Sequence, residues 1–238
     1  MKKMIALTVG LFVSLTVRLV VALMFGLFVS LMSGLFASET AIAADGRQNN
    51  PGEALPSSAT DIRPLMIGSD IPEVMLQDVN GESVMLHELH HNKPVMIIFY
   101  RGGWCPFCNR HLAELSTMEE AVHDLGMEII AISPDSPEQL NEGLDGHEPR
   151  YTLLSDEDRT AARHFGVAFQ VTDPEQVTAL TERTGHSATA DGNYIFPVPA
   201  VFILDSGKVI RFQYVDPDYR RRINGAILMA AAEYVAGL

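Results

Sequence analysis

Cysteine is nearly absent from the 238 residues: there are two, Cys105 and Cys108, and this scarcity excludes a scaffold of structural disulfides. A bridge between residues three apart closes too short a loop to contribute much chain-entropy stabilisation, which leaves redox chemistry or metal binding as the work such a pair can do. No second cysteine pair exists, so a four-cysteine zinc ribbon is excluded as well. Positive charge is the next shortage. Seventeen Lys and Arg stand against thirty Asp and Glu, a net charge of −13, and a polyanion would be repelled by such a surface. Nucleic acid is therefore not expected as a partner.

What is present falls into three stretches. Residues 1–43 open on Met1-Lys2-Lys3, run through two apolar segments (4–17 and 19–37) parted by Arg18, and end on Ala41-Ile42-Ala43. A positive start, an apolar middle and small residues at the end have the order of a secretory signal peptide; the second segment is also long enough to stay as a membrane anchor. Either form predicts an exported, periplasmic or otherwise extracytoplasmic protein, where a disulfide persists. Residues 44–66 are polar and rich in turn formers, and are read as a flexible linker. Residues 67–238 carry the periodic apolar pattern of a domain.

Within that domain, Val74 to Leu86 predicts a hairpin around Asn80-Gly81, and the apolar runs 94–100 and 128–133 predict buried strands. Between these two runs, Leu112, Leu115, Met118, Val122 and Leu125 form one helical stripe stopped by Gly126. Ser136, Ser155 and Asp173, each followed three residues on by an acid or Gln, predict three more helix starts. A hairpin over 201–215 and a helix over 223–235 complete an α/β layered domain, a mixed sheet flanked by helices with a hairpin at its N-terminal side.

The cysteines sit at the joint of the first strand and helix. Gly102-Gly103 turns the chain, Pro106 suits a first helical position, and Cys105 thus falls at the N-cap. Unpaired N–H groups and the positive end of the helix dipole favour thiolate there. Cys108, one turn on, is placed to attack a mixed disulfide or sulfenic acid on Cys105. A dithiol extended by His111 on the same face leaves a copper or zinc carrier as a reading of another class, and His87, His90 and His91 read as a solvated polar loop.

The segment 99–108 (Phe-Tyr-Arg-Gly-Gly-Trp-Cys-Pro-Phe-Cys), together with 197–205 and 215–219, resembles the peroxiredoxin-like members of the alkyl hydroperoxide reductase/thiol-specific antioxidant family, from about Ile67 to the end. The resemblance implies a thioredoxin-like fold and an enzyme that reduces hydroperoxides, with Cys105 as attacking cysteine, Cys108 as resolving cysteine, an unidentified thiol electron donor, and no cofactor beyond the Cys105–Cys108 disulfide. A reductase of protein disulfides is the alternative enzyme. By position Pro199 matches the cis-proline that faces the cysteines in thioredoxin-like proteins, and Trp104 the aromatic bordering their substrate groove. Two residues depart from the peroxiredoxin pattern: Gly102 stands where a Thr or Ser is usual, and Pro199 where an arginine is. Both usual hydrogen-bond donors to the peroxide oxygens are thereby missing, and Arg101 is the cation left to replace them.

Overall fold

The computed structural model describes residues 54–89, 92–144 and 149–238, which lie in one compact unit, Gly46–Leu238. The expected signal or anchor at 1–43, with His90 and His91, falls outside the described residues. Among the described residues no helix is long and apolar enough to cross a membrane.

The apolar run predicted as a buried strand is β3, Val95–Phe99, every residue of it buried. It is an interior strand of a seven-stranded sheet whose other members are β1 (Met75–Gln77), β2 (Ser83–Met85), β4 (Glu128–Ser133), β5 (Thr152–Ser155), β8 (Ala200–Leu204) and β9 (Ile210–Val215), ordered β2-β1-β5-β4-β3-β8-β9. Strands β3, β4 and β5 run parallel, while β8 pairs antiparallel with β3 and β9 with β8. The alternation of a strand then divides the core. Ile97 and Phe99 face a cluster with Phe165, Phe202 and Leu154, whereas Met96 and Ile98 face Leu115, Val122, Val201 and Leu228. This is a thioredoxin-like arrangement, and it places the end of β3 and the loop after it at the mouth of the sheet.

The expected helix after β3 is two. Helix α1, Pro106–Ser116, stops where Thr117 turns its N–H and hydroxyl back to the Glu114 carbonyl, and α2, Glu119–Asp124, starts afresh. Buried Glu119 holds the joint by accepting from the Ser116 hydroxyl and the Arg150 amide. The apolar stripe continues across the break because both helices cover the same face, so side-chain periodicity alone predicts one helix. Helices α3 (Pro137–Gly143) and α5 (Pro174–Thr184) are capped as predicted, by Ser136 with a reciprocal Gln139 bond and by Asp173. Helix α4, Thr160–His164, begins later than Ser155 predicts. Ser155 closes β5, and Asp156 instead reaches forward to accept from the Ala161 and Ala162 amides, with Arg159 left-handed (φ 61°) between them. Helix α6, Gly225–Ala236, is capped by Asn224.

Two further expectations change, and one feature was not foreseen. The turn between β1 and β2 is a five-residue loop in which only Gly81 takes a left-handed angle (φ 80°); Asp78 organises it by accepting the Asn80 and Glu82 amides. Residues 54–66, the described part of the expected linker, are tied to the domain: Leu65 is buried, its amide donates to the Phe165 carbonyl, and Gln170 bonds both Leu55 and Pro56. Its polarity hid a few well-placed apolar anchors. A separate two-stranded sheet, β6 (Ala168–Val171) with β7 (Tyr194–Pro197), lies beside the main one. Its partners are far apart in sequence, and no short-range pattern marks the pairing.

Candidate active site

The loop that leaves β3 is held at each residue. The Cys105 amide donates to the Gly102 carbonyl, the Trp104 indole to the Arg101 carbonyl at 2.9 Å, and Asn109 reaches back to the Gly103 carbonyl at 2.8 Å. Cys105 therefore arrives at the N-cap of α1 in extended conformation with Pro106 at the first helical position. Both cysteines are free thiols and both are 1% exposed, in a cluster with Tyr100, Ala131 and Leu140 against which Trp104 and Phe107 pack.

The two sulfurs are not equivalent. Donation from the Cys108 thiol lowers Cys105 from an ordinary value of 9.0 to about 6, against the opposing effect of burial; the amides of Cys108 and Phe107 and the Arg101 charge add to the lowering. The amides lie near the sulfur without a full capping bond. Cys108 is pushed far upward by giving its proton to Cys105 and by burial. Cys105 thus stands at the N-cap, and the largest lowering of its pKa comes from the second cysteine.

Arg101 is buried, and its guanidinium lies in an aromatic cage, 4.3 Å from the Tyr219 ring centre, 4.4 Å from Phe196 and 5.0 Å from Trp104. Planar, weakly hydrated guanidinium suits such stacking. Burial lowers its affinity for the proton, and the charges of Cys105 and Cys108 offset part of that. Trp104 is a wall of this cage and carries a second arginine, Arg183, 5.0 Å from its ring.

Beneath the loop lies a polar network that no sequence motif announces. Asp135 Oδ2 accepts the Gly103 amide at 2.8 Å and the Ser133 hydroxyl at 2.9 Å, and Oδ1 accepts from His186 Nε2 at 2.7 Å. The other His186 nitrogen meets the Tyr194 hydroxyl at 2.9 Å, which in turn meets Thr184 at 2.8 Å. Asp135 and His186 are buried, so the network is shielded from water and screening. It also explains Gly102. With φ 122°, a Cβ there would lie 2.6 Å from Asp135 Oδ1 and 2.7 Å from Trp104 Nε1, so the Thr or Ser of the peroxiredoxin pattern does not fit.

Pro199 corrects an expectation. No peptide bond among the described residues is cis, so the Val198–Pro199 bond is trans. Pro197 still pairs with Ala168 and Ala200 already pairs with Phe99, and Val198 donates to the Val167 carbonyl at 2.8 Å. The chain crosses from one sheet to the other through Val198 and Pro199. His111, the third member of the metal reading, is buried on α1 with no partner for Nε2 among the described residues, and burial with the nearby Arg222 charge lowers it to about 4. No group of three or more His, Cys, Asp or Glu among the described residues is arranged to hold a metal ion. Sequence reasoning missed Asp135, His186, Tyr194 and Arg222; of these only Asp135 had a neighbouring signal, the Ser136 cap, which pointed to the helix instead.

Residues 67–213 match the AhpC/TSA family. The chain is similar to Peroxiredoxin Bcp of Escherichia coli, 31% identical over 106 residues, which are 44% of this chain and 67% of that protein. It is similar also to a chloroplastic Peroxiredoxin Q of Gentiana triflora, 32% identical over 120 residues, or 50% of this chain and 55% of that one. Among solved structures, Peroxidoxin BcpB of Mycobacterium tuberculosis superimposes with a TM-score of 0.54 at 18% identity, covering 71% of this chain and 97% of that one. At that identity the likeness is one of fold.

Proposed function

The chain belongs to the AhpC/TSA family, and on that footing we propose that it is a thiol-dependent peroxidase that reduces hydroperoxides by cycling Cys105 and Cys108 between dithiol and disulfide. The observation that carries the reading is the asymmetry of the pair, a Cys105 sulfur held near 6 by a Cys108 thiol that keeps its own proton. A thiolate at neutral pH beside a protonated partner is the starting state such chemistry needs. Cys105 attacks the terminal peroxide oxygen, the O–O bond breaks, the alcohol or water leaves with a proton, and sulfenic acid remains on Cys105. Cys108 then attacks that sulfur and water departs. Two thiol equivalents from an external donor return the disulfide to dithiol through a mixed disulfide and leave as a disulfide themselves. Arg101 supplies positive charge to the thiolate and to the developing oxygen charge, in the role that the usual hydroxyl and guanidinium donors fill elsewhere in the family. Trp104 holds Arg101 in place. The reading also keeps the exported compartment suggested by residues 1–43, with a membrane anchor through 19–37 as the uncleaved form; N-terminal sequencing of the protein from membrane and soluble fractions distinguishes the two.

The test follows Trp104, the one tryptophan, in the stopped flow. Reduced protein mixed with hydrogen peroxide or an organic hydroperoxide should show a fluorescence change whose rate rises linearly with peroxide. Cys105→Ser should lose it. Cys108→Ser should stop at sulfenic acid, seen as one added oxygen by intact mass. A wild type inert to every hydroperoxide would sink the proposal.

A further inference from the structure

Cys108 has a cationic neighbour from a distant part of the chain. Arg222, in the segment between β9 and α6, places Nη2 3.3 Å from the Cys108 sulfur. Its Nη1 donates to the Arg221 carbonyl at 2.7 Å and to the Tyr219 carbonyl. One prong of the guanidinium fork is thus fixed by its own backbone and the other is offered to sulfur. The segment is itself anchored beside the active helix, because the Tyr219 ring packs edge-on against Phe107, 5.7 Å between centres.

We infer that Arg222 is a catalytic residue of the second half of the cycle, stabilising the Cys108 thiolate both when it attacks oxidised Cys105 and when reduction of the disulfide expels it. The first of these steps rests on the peroxidase reading; the second does not.

The charges around Cys108 give the residue a moment to act. In the reduced centre Cys108 donates to the Cys105 thiolate, and that anion, with burial, holds its proton in place; Arg222 and the Arg101 amide pull the other way and are outweighed. Oxidation of Cys105 to sulfenic acid removes the anion. The groups then facing Cys108 are the neutral sulfenic acid, the buried Tyr100 hydroxyl, whose own ionisation is strongly disfavoured, Arg101 and Arg222, with His111 beyond them held neutral by burial and by Arg222. The Cys105 anion that held the proton is then gone while Arg101 and Arg222 stay, so the proton is released more readily after the first step than before it. The balance is then direct. The Cys108 thiolate bonds to the Cys105 sulfur, the S–O bond breaks, and the departing hydroxide takes up the proton that Cys108 gave off. In the reductive step an external thiolate bonds to the Cys105 sulfur, the S–S bond breaks, and Cys108 leaves with the electron pair beside Arg222 before taking up a proton.

Arg222→Met keeps much of the bulk and removes the charge; Arg222→Lys keeps the charge without the fork. After one equivalent of hydrogen peroxide, the lifetime of Cys105 sulfenic acid, followed by trapping and intact mass from pH 6 to 9, should lengthen about tenfold or more at pH 7 in Arg222→Met, the scale of one charge-assisted hydrogen bond. The deficit should shrink as pH rises and Cys108 ionises unaided, and Arg222→Lys should recover most of the rate. Reduction of the preformed disulfide by dithiothreitol should slow by a similar factor. Rates within twofold of wild type in both assays would overturn the inference, as would a deficit equal at every pH, which would mark Arg222 as a prop for its segment. If the wild type forms no sulfenic acid with peroxide, the peroxidase reading fails, and the dithiothreitol rates still decide the role of Arg222.

Discussion

His186 Nε2 and Asp135 Oδ1 lie 2.7 Å apart in a buried pair, and the second oxygen of that carboxylate accepts the amide of Gly103, two residues before Cys105. A buried carboxylate of this kind fixes the active loop from below. Removing it strands the His186 nitrogen, the Ser133 hydroxyl and the Gly103 amide in a site closed to water. Asp135→Ala should therefore cost about 3 kcal/mol or more of folding stability, read from urea unfolding at pH 7. It should also slow Cys105 alkylation in the folded protein, since the loop loses its tether. An unchanged unfolding midpoint would show that the network carries no stability.

Gly102→Thr would restore the hydroxyl of the peroxiredoxin pattern, and it should fail. The left-handed backbone at φ 122° costs a side chain on the order of 1–3 kcal/mol by itself. The new Cβ also meets the Asp135 carboxylate. Lower thermal stability and no gain in peroxide rate are the expected results; a faster enzyme of equal stability would mean that the loop relaxes freely.

Alkylation of Cys105 by iodoacetamide should rise through pH 6 and level off above pH 7, because its thiolate forms about there, while Cys108 stays unreactive over the same range. Since the Arg101 charge contributes to the lowering, Arg101→Met should move the midpoint upward. The sign for stability follows from the same shift. Between about 6 and the ordinary 9.0 the folded state has released a proton that the unfolded chain still holds, so wild-type stability relative to Cys105→Ser should increase with pH across that window and vanish as pH falls through 6.

Asp156 runs in the opposite direction. Burial raises its carboxyl from 3.8 to about 7, against the lowering by the Ala162 and Ala161 amides. Between those values the folded state holds a proton that the unfolded chain has lost, so this group weakens folding as pH rises from 4 to 7. The stability of wild type minus that of Asp156→Asn should accordingly fall over that interval, as measured by urea unfolding at several pH values. A flat difference would place the ionisation elsewhere.

Much of the fold was legible because it is written in local chemistry. Five buried apolar residues in succession marked β3, a Ser-Pro-x-Gln sequence marked the cap of α3, and Gly-Gly before Trp-Cys-Pro placed Cys105 at a helix start. Each of these depends on neighbours within a few positions. The break between α1 and α2 was hidden for the same reason: the stripe reports which side chains face the core, and the Glu119 contacts that end one helix and begin the next include a residue 31 positions away.

By itself, then, the sequence determined the strand-turn-helix that carries the dithiol, and with it which cysteine takes the N-cap. Only the tertiary structure decided what surrounds that dithiol. Asp135, His186, Arg101 with its aromatic cage, and Arg222 reach the site from separate elements of the chain, Arg222 from a residue 114 positions beyond Cys108. The crossing between two sheets at Pro199, with its trans bond, was equally out of reach of the local pattern. Buried hydrogen bonds and charges act through space at about 3 Å, and their energies depend on burial that no single segment defines.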